Sequence, residues 1–173
     1  MLDFTWGGRW LLLGWLCLAG NRPAQAQAPA KAGAGIELAG PTAKSRTLTA
    51  VELARLPQQE LRAKDKDGVE HRYGGVALAE VLALAGIPQG KALHGPALTQ
   101  LLLVTATDGY QVVFALPELD PSFAAQTVLL ADRRDGQPLP PGNGPYQLVV
   151  PQEKRPARWV KQVTSLRLVE MKP

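Results

Sequence analysis

The chain has 173 residues, 46% of them hydrophobic, and a formal net charge of +4. That is enough for one domain with a real core, and too mild a basic excess to argue for nucleic acid. A single cysteine leaves no disulfide within the chain, so stability must come from packing.

The first 26 residues have the layout of a secretory signal peptide, with Arg9 as a sparse basic start and an apolar run from Trp10 to Gly20. Pro23 follows, then Ala24-Gln25-Ala26, a small-x-small cleavage site. The run is shorter than the roughly 20 residues a bilayer span needs, and an uncleaved anchor is the alternative. Cys17 follows Trp15 and Leu16, not the small residues of a lipoprotein site. Cleavage after Ala26 would remove Trp6, Trp10, Trp15 and Cys17. It would leave 17 cations against 14 carboxylates, a charge of +3, and Trp159 as the one tryptophan. The expected location is periplasmic or secreted, with no stable membrane span after cleavage. Residues 27–35 read as a flexible tether, and the domain is expected over 36–170.

Ile36 to Gly40 reads as a first strand. Thr49-Ala50-Val51-Glu52 is a capping box that should open a short helix ended by Pro57. Glu60 to Lys64 and Val69 to Tyr73 alternate apolar and charged residues around Asp65-Lys66-Asp67-Gly68, a hairpin turn. Gly74-Gly75 is expected to break the second strand before a helix from Val76 to Ala85. Leu78, Val81, Leu82 and Ala85 form its apolar face, and Gly86 and Pro88 stop it. Residues 89–97 read as loop. Leu101 to Ala106 and Tyr110 to Ala115 are strands joined through Thr107-Asp108-Gly109. A helical turn is expected within Pro117 to Phe123, a strand over Gln126 to Ala131, and a polar loop from Asp132 to Gly144. Tyr146 to Val150 and Val163 to Val169 complete roughly seven strands and two helices. The class is α+β, a mixed α/β domain with a largely antiparallel sheet.

The stretch from Gly142 to Glu170 says most about function. A buried strand stops at Pro151, and a basic turn leads through Trp159 to the closing strand. Lys154, Arg155, Arg158 and Lys161 sit close together there, and cations beside a rigid aromatic suit an anion, which Arg can grip with a bidentate fork. The blander reading is a solvated basic loop with Trp159 as a core plug. Tyr110 beside Asp108 offers a second polar contact, against the plainer account of a hairpin turn with an aromatic flank.

Other chemistry is weaker. Asp65, Asp67 and Glu70 resemble part of a calcium loop, but Lys66 and the early Gly68 break its spacing. His71 and His94 lack zinc-ligand spacing. There is no Gly-x-Ser-x-Gly element, and the glycines match neither phosphate-loop pattern. No metal or catalytic residue is assigned.

The order of segments resembles the sulfite-oxidase-like, molybdopterin-binding oxidoreductases. Tyr73-Gly74-Gly75-Val76-Ala77-Leu78 through Val81-Leu82 resembles their aromatic-x-Gly-Val-x-Leu-x-x-Leu-Leu segment, and Asp108-Gly109-Tyr110 their strand-turn-strand motif. Val128-Leu129-Leu130-Ala131, then Asp135-Gly136-Gln137-Pro138-Leu139, resembles "vlLA…dGepL". Gly144-Pro145-Tyr146-Gln147-Leu148-Val149-Val150-Pro151 and Ala157-Arg158-Trp159-Val160 resemble the "GPlRlvvP…vKWv" close. The likeness runs from about Ile36 to Glu170. No single motif is specific; five in order are.

The resemblance implies the family's fold and molybdopterin as a cofactor. Its enzymes ligate molybdenum through a cysteine thiolate placed before the aromatic-x-Gly-Val segment. Here that region is Arg62-Ala63-Lys64-Asp65-Lys66-Asp67, and a Lys/Asp turn offers at best a hard oxygen to a metal that suits soft sulfur. The family's Arg after Pro-Leu is replaced by Gln147, and its Lys before Trp is Arg158, which keeps the charge. The favoured expectation is a non-catalytic binding module for a pterin phosphate, another small anion or a redox partner protein, using Arg158 with Lys154, Arg155 and Lys161. The alternative is a molybdopterin-dependent oxidoreductase that holds molybdenum without a protein thiolate. A purely structural role in an export-side complex is the third.

Overall fold

The computed structural model describes residues 35–40 and 45–171. The expected signal peptide, Cys17 and the tether up to Ala34 lie outside the described residues. Among the described residues, ten strands and three short helices form a mixed α+β fold built on two five-stranded sheets.

The first sheet contains β1 (Ile36–Ala39), β2 (Arg46–Leu48), β5 (Gln100–Ala106), β6 (Gln111–Ala115) and β10 (Val163–Glu170), in the order β2-β1-β10-β5-β6. Only β1 and β10 run parallel; the other pairs are antiparallel. The second sheet has the order β3-β4-β7-β8, from β3 (Gln58–Lys64), β4 (Glu70–Ala77), β7 (Leu129–Arg134) and β8 (Gln137–Pro138). There β9 (Gln147–Val149) also pairs with β7, against its first half, while β8 covers the second.

Helix α1 (Ala50–Arg55) begins as its capping box requires. The Thr49 hydroxyl accepts the Glu52 N–H at 3.3 Å, and the Glu52 carboxylate accepts the Thr49 N–H at 2.8 Å. Helix α2 (Leu78–Leu84) buries Leu78, Val81 and Leu82, and Gly86 ends it at φ +74°. Helix α3 (Leu116–Leu119) follows β6 directly. One apolar core draws on both sheets, with Ile36, Leu102, Phe114 and Leu166 from the first and Tyr73, Leu129 and Leu148 from the second.

Several expectations are corrected. Gly74-Gly75 does not break β4, which continues to Ala77, so α2 starts later than Val76. The strand bulges there against β7, and a Cβ on Gly75 would lie 2.2 Å from the Leu130 carbonyl oxygen. The glycine permits a close approach of two backbones, not a stop. Strand β7 runs through Asp132 to Arg134, which had read as loop, because their backbones pair with β4 and β8. The return to β8 turns on Asp135 and Gly136, both at positive φ. Residues 89–97 hold turns of 3-10 helix at Gly90–Ala92 and from Gly95 on.

Candidate functional site

The hairpin between β3 and β4 closes on Asp65. Its N–H donates to the Val69 carbonyl at 2.9 Å, its carbonyl accepts the Gly68 N–H, and its carboxylate accepts the Lys66 N–H at 2.6 Å. Gly68 takes φ +79°, which a side chain would resist. The other carboxylate oxygen of Asp65 accepts the Tyr73 hydroxyl at 3.3 Å and pairs with Arg134 at 3.4 Å. Asp65 therefore fixes the turn and is already neutralised. Burial, with the nearby Asp65 charge, pushes the Tyr73 phenol up to about 12, so it remains a donor.

Opposite this turn stands the segment after β9. Pro151 ends the strand run, and a 3-10 turn at Pro156–Arg158 brings Trp159 inward. The indole N–H donates to the Val150 carbonyl at 2.9 Å. Between turn and segment lies a cavity of about 520 Å³, lined by Arg62, Lys64, Asp65, Lys66, Glu70, Glu153 and Lys154 among its polar residues. Pro151, Pro156 and Trp159 give it an apolar side.

The charges do not cancel across it. Arg62 pairs with Glu70 at 3.6 Å, Asp65 with Arg134, and Glu153 with Arg158. Lys64, Lys66 and Lys154 make no ion pair among the described residues. Three unpaired ammoniums against a partly apolar wall suit a multiply charged anion.

A neighbouring cavity of about 240 Å³ is lined by Arg62, Glu70, His71, Arg72 and Asp135. Here each arginine has a carboxylate partner, Arg62 with Glu70 and Arg72 with Glu60, both at 3.6 Å, and His71 Nδ1 lies 2.7 Å from Asp135. The hydrogen bond from the Arg72 N–H, then that of His71, holds the Asp135 carboxyl below the usual range. This cavity has no surplus charge to offer.

Of the candidate binding residues named from sequence, Lys154, Arg155, Arg158, Lys161, Tyr110 and Asp108, Lys154 alone lines the cleft. Arg155 and Lys161 are exposed outside it. Asp108 serves the hairpin turn by accepting the Tyr110 N–H at 2.9 Å, and the Tyr110 hydroxyl donates to the Ala157 carbonyl at 2.8 Å. Arg158 faces the other way. Its Nε donates to Glu153, and its Nη1 to Glu118 at 3.0 Å and the Val113 carbonyl at 3.2 Å; the guanidinium lies 4.3 Å over the Phe114 ring. Burial opposes its charge, but the bonds to Glu153 and Glu118 outweigh it and raise its pKa. The sequence reading missed Arg62, Lys64 and Lys66. Their signal was the Lys/Asp turn itself, but nothing local shows that a chain segment some 90 residues on, about a domain's length, closes over it.

The donor set can be tested against the cofactor the resemblance implies. Among the described residues no group of three or more His, Cys, Asp or Glu is placed to hold a metal ion, and none of them is a cysteine. The Asp65 oxygens are occupied by a backbone N–H, a phenol and a guanidinium. A thiolate-held molybdenum does not fit these residues. Gln147 is fully buried and accepts from Asn143 Nδ2 at 3.0 Å, while its own Nε2 has no partner. The position contributes an amide to the core and no cation to the cleft.

Residues 59–173 match the family described as the oxidoreductase molybdopterin binding domain. Among solved structures, the crystal structure of the sulfane dehydrogenase SoxCD from Paracoccus pantotrophus superposes with a TM-score of 0.64 at 20% identity. The similarity covers 82% of this chain and 39% of that one, so this chain spans well under half the length of that relative. At such identity the likeness is one of fold. No curated protein matches in sequence.

Proposed function

The chain belongs to the oxidoreductase molybdopterin-binding domain family, and from that premise we propose that it is an exported, non-catalytic binding module. Its ligand is a small, multiply charged anion, a pterin phosphate being one, held in the cleft between the β3–β4 turn and the segment around Trp159. The observation that carries this reading is the substitution of donors at one place. Where the family sets a thiolate, this chain sets Lys64 and Lys66 on a turn pinned by Asp65, facing Lys154 across the cavity.

The physics favours oxyanions. An ammonium is a compact charge on a flexible stem, so three of them adapt to an anion's oxygens without demanding one fixed geometry. The apolar wall of Pro151, Pro156 and Trp159 lowers the local dielectric and strengthens each contact relative to open water. At that partly exposed site each lysine is expected to contribute on the order of 1 kcal/mol. A planar ring bearing the phosphate would lie against the apolar wall. No redox step is assigned, because no residue of the cleft fits the metal that would carry it.

The test is calorimetric titration of the full chain with inorganic phosphate and pyrophosphate. The wild type should bind pyrophosphate more tightly than phosphate, with affinity falling as salt rises. The triple variant Lys64→Gln, Lys66→Gln, Lys154→Gln should show no saturable heat. Unaltered binding by the triple variant would remove the cleft from consideration.

A further inference from the structure

The cleft has one firm side and one that the backbone does not secure. The β3–β4 turn sits at the end of a paired hairpin. The facing wall, 151–158, belongs to no strand. Its backbone hydrogen bonds stay within itself or with its immediate neighbours: Glu153 N–H to Val150, Trp159 N–H to Pro156, and Val160 N–H to Arg158. Among the described residues, side chains make the hydrogen bonds that tie this segment to the rest of the fold.

Those ties are specific. Arg158 bridges the wall's own Glu153, the β6 carbonyl of Val113 and the α3 carboxylate of Glu118, and covers the Phe114 ring. Glu118 is itself held, because its other oxygen accepts the Ala115 N–H at 2.9 Å. From the β5–β6 turn, the Tyr110 hydroxyl reaches the Ala157 carbonyl at 2.8 Å. None of Arg158, Glu118 or Tyr110 lines the cleft.

We propose that Arg158, Glu118 and Tyr110 are positioning residues: they clamp the 151–158 wall to the first sheet and so set where Lys154 stands relative to Lys64 and Lys66. This rests on the binding reading above and names the device that controls the same site. Arg suits the task because its fork donates to several acceptors at once from a rigid plane, which the ammonium of a lysine cannot reproduce. The wall moves as a unit if the clamp opens, since two prolines, Pro151 and Pro156, stiffen it. Loss of the clamp therefore spreads the lysines and weakens anion binding without removing a ligand contact.

The experiment pairs pyrophosphate calorimetry with hydrogen exchange of the amides in 152–158, on the full chain. Glu118→Gln is the decisive variant. It keeps an oxygen for the Ala115 N–H and turns the oxygen that faces Arg158 into an amide NH2, so the ion pair and its hydrogen bond are lost together. Glu118→Gln and Arg158→Gln should each weaken pyrophosphate binding by about three- to tenfold, and the double variant should be no weaker than Arg158→Gln alone, as for two residues of one unit. Both should speed exchange in 152–158, Tyr110→Phe should do so to a smaller degree, and Arg158→Lys should restore only part of the affinity. Wild-type affinity and wild-type exchange in Glu118→Gln would overturn the proposal. If the wild type takes up no pyrophosphate, the binding reading fails by itself. Exchange then still decides the clamp: unchanged rates in Glu118→Gln would overturn it.

Discussion

The indole of Trp159 stands edge-on to the ring of Tyr73, with centroids 5.6 Å apart and planes at 89°. The pair joins the two walls of the cleft through the core. Tyr73 lies on β4 with its hydroxyl on Asp65, and Trp159 closes the opposite segment with its N–H on the Val150 carbonyl. Trp159→Phe would keep an aromatic ring but leave the carbonyl of the buried Val150 with only the Glu153 N–H, at 3.3 Å. The loss of the indole bond together with the volume removed should cost about 2–4 kcal/mol. Urea unfolding measures it, and a change under about 0.5 kcal/mol, the range of surface substitutions, would show that the ring is not part of the core.

The two adjacent glycines of β4 should behave differently. A Cβ on Gly75 would sit 2.2 Å from the Leu130 oxygen and 2.7 Å from the Ala131 Cα, both backbone atoms that cannot yield without moving β7. On Gly74 the nearest atom is Arg133 Nε at 3.1 Å, the far part of a flexible side chain. Gly75→Ala is expected to destabilise by about 2–3 kcal/mol or more, and Gly74→Ala by less than about 1 kcal/mol. Equal effects in thermal unfolding would contradict the close approach.

That pair also shows where sequence reasoning reached its limit. Consecutive glycines signal a break when only the chain's own propensity is considered; the neighbour that requires them, β7, lies more than fifty residues on. Features whose cause is local were legible: the Thr49 capping box, Gly86 past α2, and the turn at Asp108-Gly109. The three-residue β2 was not, because Arg46-Thr47-Leu48 has too little pattern and exists by pairing with β1. The site divided the same way. The sequence picked out Arg158 as a free cation, whereas its charge is taken up by Glu118, forty positions away. The basic cluster next to Trp159 was correctly noticed as charge, but only the fold decides which members share a cavity with Lys64 and Lys66.

Asp120 should make part of the stability depend on pH. Its carboxylate is buried at 3% exposure and accepts the Gly90 N–H and, at 2.7 Å, the Ser122 N–H. Burial raises its pKa, but those bonds outweigh it and the net direction is downward. The folded value lies below the unfolded value of about 3.9, so the contribution is fully present above that pH. It is lost as pH falls through the folded value. Asp120→Asn should be less stable by about 1–3 kcal/mol near neutrality, since one N–H then faces an amide group. Its deficit should shrink as pH drops below 4, about the unfolded carboxyl value. A deficit that stays constant from pH 7 to 3 would mean that the charge contributes nothing.

The described residues of this member of the molybdopterin-binding family line a lysine-rich cleft and include no group of three or more His, Cys, Asp or Glu placed to hold a metal. The most direct measurement is the molybdenum content, by mass spectrometry, of the full chain purified from a host that makes the cofactor, with pterin assayed by its fluorescent oxidation product. The account predicts molybdenum far below one atom per chain, with or without bound pterin. Stoichiometric molybdenum that survives purification of the wild-type chain would contradict it.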